Sequence, residues 1–326
     1  MTRINDDFPE AADTDQLAVL YRESDAHRAI ADEIAAPAEA MVEQFDKYAV
    51  GRWAQLLLLL ERNHRNAARN PLLYWLRVVM YAGLAVVMGT IFFDPGSGFA
   101  AQEDRLSCIA FLFCFFSFMS VAAVPAFLEE KEVFVREVRS GTYGFLAYTV
   151  ANTLSGLPWL FLISLLSSIG IYFLADLNTG VDHFFVFVLV LFAALAAAES
   201  VMVCISSVVD DALIGVFAGS GVYGAFVLLS GFFVPERKIP DMWIWLYRLS
   251  TVKYGLDAAL YNEYDGVAVK NAPTESGTMG GHAYLEQRFG IDSDVVGESL
   301  AILIAMTFFY RLLFAALLTR FAPRAS

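Results

Sequence analysis

Six stretches of this chain are long and apolar enough to cross a bilayer as helices, and this bounds its fold more tightly than any other feature. About 20 apolar residues span the hydrocarbon. Leu72–Phe93 carries one charge, Arg77, and Leu106–Leu128 carries none. Phe145–Leu174 carries none and holds Pro158 as a kink point. Phe184–Val209 carries only Glu199, Ala212–Val234 none, and Leu300–Leu318 only Arg311. A helix buried in a soluble protein seldom runs so far without charge, and six such runs argue against that reading. Composition agrees, because 58% of the residues are hydrophobic and soluble domains rarely exceed half. The expectation is an all-α membrane protein with one membrane domain over residues 71–322 and a polar N-terminal extension.

Charge sets sidedness and excludes one class of partner. Arg62, Arg65 and Arg69 precede the first run, Lys131, Arg136 and Arg139 lie between the second and third, and Arg320 and Arg324 follow the last. The 94–105 loop holds one basic residue, Arg105, and the 175–183 loop holds none. Basic flanks face the cytoplasm, so both termini and the 129–144 loop are expected there. The net charge of −13 argues against nucleic acid, whose phosphates need a basic face. Cys108, Cys114 and Cys204 all lie inside apolar runs, which argues against a disulfide framework. The first forty residues are polar and acidic, without a secretory signal.

Three further segments stand out. Met41–Arg69 repeats Val42, Phe45, Ala49, Trp53, Leu56 and Leu60 at helical spacing and ends in a basic stretch. This predicts an amphipathic helix on the inner leaflet, with a soluble linker helix as the alternative. Glu129–Gly141 reads as a short charged helix with an apolar side of Val133, Phe134 and Val138, stopped by Gly141. It suits docking onto another protein, or is simply a solvated loop. After Pro235–Pro240, the stretch Trp243–Leu260 is aromatic but broken by Arg248, Lys253 and Asp257. A re-entrant or interfacial helix is expected, with Trp243, Trp245 and Tyr247 at headgroup depth and residues 262–298 forming a small outer loop.

These features in this order resemble the transmembrane domain of the G subfamily of ATP-binding-cassette transporters, the white-brown-complex half-transporters, and look nearest their plant and algal branch. Glu129-Glu-Lys-Glu-Val-Phe134 followed by Arg136-Glu-Val-Arg-Ser-Gly-Thr-Tyr143 is similar to that family's coupling loop. Glu199-Ser-Val-Met, Leu229-Ser-Gly-Phe-Phe233, Tyr254-Gly-Leu and Tyr261-Asn-Glu-Tyr-Asp-Gly266 follow at its usual distances. The resemblance implies the type II exporter fold of six spans, with residues 41–70 as the connecting helix and residues 1–40 as a linker that would follow a nucleotide-binding domain. The sequence carries no G-x-x-x-x-G-K-[ST] loop, and none of Lys47, Lys131, Lys238, Lys253 and Lys270 sits in one, so that domain is not among these residues. ATP and Mg²⁺ would therefore be bound by another polypeptide segment, and this chain is expected to hold no cofactor or metal of its own.

The resemblance further implies a homo- or heterodimer with a substrate path on its twofold axis, in the plasma membrane, moving lipophilic small molecules. It points to Phe111, Cys114, Phe115, Phe118, Gly224 and Val227 for the substrate cavity. Phe232 and Phe233 would form an apolar gate, as a dry constriction blocks polar leakage. Glu130, Lys131, Phe134, Arg136 and Glu137 would couple to the ATPase, with Glu130 in a cross-domain ion pair. Gly215-x-x-x-Gly219 and Ser220-x-x-x-Gly224 allow close helix contact, within the chain or between chains. Glu199 and Arg311 both lie roughly 14 Å in from the inner face, and the expectation is that they pair; separate polar partners are the alternative.

Lipids, sterols, wax precursors, terpenoids and xenobiotics suit an aromatic cavity equally. A non-transporting scaffold, or a fragment or relic of a half-transporter, is the alternative function. An intramembrane enzyme is disfavoured because His27, His64, His183 and His282 are scattered. No internal repeat points to a secondary transporter.

Overall fold

The computed structural model describes residues 19, 21–28, 30, 51–70, 74–96, 98–178, 180–270, 278–291 and 294–321. The chain divides into Met1–Ala49 and Val50–Ser326. In the first unit the described residues are largely helical, and the Ser24 hydroxyl bonds the Tyr21 carbonyl at 2.6 Å. Residues 41–50, the first third of the expected amphipathic helix, lie outside the described residues.

The second unit is built from helices: α1 (Arg52–Arg69), α2 (Leu76–Ile91), α3 (Phe99–Met119), α4 (Ala123–Arg139), α5 (Phe145–Leu174), α6 (Val181–Val208) and α7 (Ala212–Leu228). There follow α8 (Ile244–Leu249), α9 (Thr251–Tyr264), a hairpin of β1 (Ala268–Lys270) and β2 (Thr278–Gly280), α10 (Gly281–Phe289) and α11 (Val296–Phe321). The strands are antiparallel, with Val269 opposite Met279. Among the described residues, four helices have the length and apolar character to cross a membrane: α5, α6, α11 and the rod formed by α3, a 3₁₀ turn and α4. Two shorter apolar helices, α2 and α7, stand where the first and fifth runs were expected.

α6 is the central post. Its run Ala193–Ala198 is buried throughout, and small side chains let neighbouring backbones approach where lipid offers no competing hydrophobic force. α5, α9 and α11 pack on it. α11 is mostly exposed along its apolar length, as a lipid-facing helix should be. Some hydroxyls inside the helices bond their own backbone: Ser164 donates to the Leu160 carbonyl at 2.8 Å and Ser200 to that of Ala196 at 2.7 Å. Such internal satisfaction is what lipid demands of polar groups.

Several expected boundaries shift. The second run was expected to start at Leu106, but α3 begins at Phe99. Its charged first turns are paired: Arg105 with Asp176 at 3.1 Å, and Glu103 with Tyr284 and Arg288. The charged 129–141 segment is not a separate short helix. It is the second half of α4, and it ends where Gly141 turns with φ +71°. α7 stops at Leu228, because Ser230 and Gly231 (φ +93°) turn the chain, so Phe232 and Phe233 lie beyond the helix.

The re-entrant stretch is two helices broken at Ser250, whose hydroxyl bonds the Phe226 carbonyl at 3.1 Å. Trp243 and Trp245 are exposed, but Tyr247 is buried and donates to Glu236 at 3.2 Å. A phenol with a partner inside the fold has no need of the headgroup layer expected for it. α9 runs to the end of the molecule remote from α4. There Asn262 donates to the His183 carbonyl (2.9 Å) and the Asn178 backbone N–H to Glu263 (2.9 Å). The outer segment 262–298 is thus an ordered hairpin and helix over its described residues, clasped to α3 and to the loop between α5 and α6.

Candidate functional site

At the α4 end, an amphipathic helix and a charged helix are clamped together. α1 buries Gln55, Leu59 and Ala67 and leaves Trp53, Leu57 and Leu58 exposed. The Arg62 guanidinium donates to both oxygens of Glu137 at 2.7 Å, and the Tyr143 hydroxyl donates to the same carboxylate at 2.5 Å. Burial opposes the charge on Arg62, but its bonds to Glu137 outweigh that and hold its pKa above the ordinary value. Burial, and then Glu137 itself, push the Tyr143 phenol well up, so it stays a donor.

Phe134 was expected as an exposed knob. It is 1% exposed, its ring centre 4.2 Å from that of Tyr148 and beside Tyr143 and Phe145. The reason is the helical continuation of α4, which turns that face onto α5. Lys131 turns inward too, donating to the Val209 carbonyl at 2.8 Å and to Asp210 at 2.9 Å, a cation at the C-terminus of α6. Glu130, expected to reach another domain, accepts from Asn152 at 3.2 Å inside this chain. Glu129, Glu132, Val133, Arg136 and Arg139 form the face of α4 left open.

Deeper in, Glu199 does not pair with Arg311. Its carboxylate accepts from Arg77 of α2 at 2.7 Å, both side chains being about seven-eighths buried. One residue along α6 is a rotation of about 100°, so Ser200, not Glu199, meets Arg311, at 3.0 Å. Arg311 also donates to Asn152 Oδ1 at 3.0 Å. The expected alternative, local polar partners, holds for Arg311. Asn152 thereby joins Arg311 to Glu130, a role sequence reasoning missed because a lone Asn in an apolar run carries no charge signal.

The third feature is an apolar face. Along α7, Leu213, Ile214, Phe217, Gly221, Gly224 and Leu228 are open or half-open in register, and Phe115 and Phe118 of α3 are exposed. Phe111 and Val227 are half-buried, and Cys114 turns into the core. The Phe111 ring lies 6.3 Å from Phe115 and 6.0 Å from Phe232, which lies 5.0 Å edge-on to Phe233. The fold therefore links the expected cavity residues to the expected gate through one aromatic chain. Gly215 and Gly219 face inward: a Cβ there would meet Val124 at 2.6 Å and Met202 at 2.8 Å. Their spacing serves packing within the chain.

Residues 54–264 match the ABC-2 type transporter family. The chain belongs to that family. Among its relatives, ABC transporter G family member 1 of Petunia hybrida is 32% identical over 305 residues, covering 92% of this chain and 47% of its own length. ABC transporter G family members 11 and 13 of Arabidopsis thaliana are both 34% identical, covering 85% and 96% of this chain and 41% and 47% of their own lengths. The chain thus spans less than half the length of these G family relatives. Within that family frame it is a transporter transmembrane domain.

Proposed function

We propose that this chain forms the membrane path of an ATP-driven exporter of lipophilic molecules. It works as a dimer and takes its drive from a nucleotide-binding domain that lies outside residues 1–326. The observation that carries the reading is the single 41-residue rod Phe99–Arg139. Its middle presents Phe111, Phe115 and Phe118, and its last turns present the open charged face of α4. A push on Glu129, Glu132, Arg136 or Arg139 is delivered along α4 and through the 3₁₀ turn Ser120–Ala122 into α3. It reaches the aromatic face beside Phe232 and Phe233. The clamp of Arg62, Glu137 and Tyr143 and the buried Phe134 make the inner end move as a body with α1 and α5. The termini and α4 then lie in the cytoplasm, as the basic flanks require. The broad aromatic surface favours flat, greasy substrates without directional polar groups.

The test is transport itself. The chain is reconstituted with a G-type nucleotide-binding domain, fused or added, and ATP-dependent export of fluorescent sterol and phospholipid analogues from vesicles is measured. Export lost on replacing Phe118 by Ala, with leak raised by Phe232→Ala and Phe233→Ala, supports the path. Unaltered export and leak in all three variants reject it and leave a scaffold.

A further inference from the structure

The end of the molecule remote from α4 carries a groove that the transport reading does not use. It has a volume of about 370 Å³ and lies where α5 hands over to α6, lined by Tyr172, Phe173, Asp176, Val181, Phe184 and Phe185 among others. Tyr172 is buried at its base, its hydroxyl donating to the Asn178 carbonyl. Phe173 and Phe185 stand exposed at 69% and 57%. The Phe184 ring joins them, 5.2 Å from Tyr172, 5.7 Å from Phe173 and 5.6 Å from Phe185. Four rings line one groove, a setting in which π faces can receive a cation, and Asp176, half-exposed, adds a carboxylate.

The loop between α5 and α6 brings charge of one sign to the groove. The loop 175–183 contains Asp176 and Asp182 and no Lys or Arg. Arg105, itself nine-tenths buried, pairs with Asp176 at 3.1 Å, and that carboxylate stays half-exposed. His183 is turned aside, its Nδ1 3.1 Å from Asn262. α5 has 30 residues and α6 has 28, so each is roughly 40 Å long or more, against about 30 Å of hydrocarbon. Their junction therefore has the reach to stand at headgroup level.

The geometry points to a binding site for the choline headgroup of a phospholipid in the leaflet remote from α4. A quaternary ammonium is weakly hydrated, presents methyl groups and needs no hydrogen-bond acceptors, which four rings and a single carboxylate can satisfy. A primary ammonium is more strongly hydrated and brings three N–H donors to a groove that offers four rings and a single carboxylate already bonded by Arg105. A phosphoglycerol headgroup would bring only negative charge to an acidic rim. The site lies away from the aromatic face of α3 and α7, and stands whether or not the chain transports.

The experiment is native mass spectrometry of the full purified chain, titrated with equimolar phosphatidylcholine, phosphatidylethanolamine and phosphatidylglycerol of identical acyl chains. Phosphatidylcholine is expected to be retained about tenfold over the other two. Phe173→Leu keeps apolar bulk on an exposed residue but removes the π face, and Asp176→Asn keeps an acceptor for Arg105 but removes the charge. Each is expected to cut that preference about fivefold without lowering total lipid retained. Tetramethylammonium chloride in lipid-free micelles separates the headgroup from a free cation. Much weaker binding than that of the lipid is expected, together with competition at high concentration. Equal retention of the three lipids, an undiminished preference in both variants, or tetramethylammonium binding as tight as the lipid would each overturn the site.

Discussion

Arg77 and Glu199 place opposite charges 2.7 Å apart among apolar helices, and in that setting the pair matters more through the cost of breaking it than through its net gain. Removing one partner leaves the other buried and alone, at about 3–5 kcal/mol, whereas replacing both with neutral groups of similar volume is far milder. Arg77→Met and Glu199→Gln should each lower the thermal midpoint in detergent sharply, and the double variant should recover most of the loss. A double variant as unstable as the sum of the singles would mean the two do not interact. Glu263 makes a different case, since its carboxyl is pushed up to about 7, chiefly by burial and also by Asp176, with the Asn178 N–H and Arg105 opposing. The folded state then holds a proton that the unfolded chain releases above about pH 4.5. Stability from this group is complete below that pH and is lost as pH rises toward 7. The wild-type melting midpoint should therefore fall between about pH 5 and pH 8 by more than that of Glu263→Gln, which keeps an oxygen to accept from Asn178. Parallel pH profiles for the two would show that Glu263 titrates normally. Sequence exposed Glu199, Arg311 and Arg77 as charges in apolar runs, because charge in lipid is visible in composition. It could not show which faced which, since that turns on helix rotation and depth.

Glycine placement on α7 separates contacts made within the fold from contacts left for something else. A methyl at Gly215 would strike the branched Val124 side chain at 2.6 Å and Val209 at 3.0 Å, neither of which can swing away. At Gly219 the first obstacle is the flexible Met202 sulfur at 2.8 Å, and at Gly224 nothing lies within 4 Å. Alanine should thus destabilise at Gly215 by about 1–3 kcal/mol, less at Gly219, and not at Gly224, read as melting midpoints of the three purified variants. An equal effect at all three would contradict this packing of α7 on α4 and α6. Sequence reading located α5 to the residue because Gly144 and the Asp176 loop bracket an unbroken apolar run. It mislaid the start of α3 because Gln102–Arg105 reads as a loop when its tertiary partners, Tyr264, Tyr284, Arg288 and Asp176, are out of sight. It split α4 for the same reason: charge density marks the membrane surface, and the helix simply passes through that surface.

Taken as one body, the second unit leaves an apolar stripe on α7 that its own helices do not cover, from Leu213 through Phe217 to Leu228. Lipid covers such a stripe as readily as protein does, so exposure alone decides nothing. What distinguishes this stripe is its small residues, Gly221 and Gly224, which let a second helix come close, as lipid chains do not require. The expected occupant is α7 of a second copy, related by a twofold axis that brings equivalent positions together. Cysteine crosslinking reads this directly, because Cys108, Cys114 and Cys204 are all buried and give little background. Phe217→Cys, at 76% exposed the most open position on the stripe, should form a disulfide-linked dimer in proteoliposomes under mild oxidation. Leu189→Cys, on the exposed side of α6, should stay monomeric at the same protein density. Efficient crosslinking at both positions would signify random collision, and none at Phe217 would place the partner surface elsewhere. The aromatic chain from Phe115 to Phe233 would then have no second wall, and the export path would fall with it.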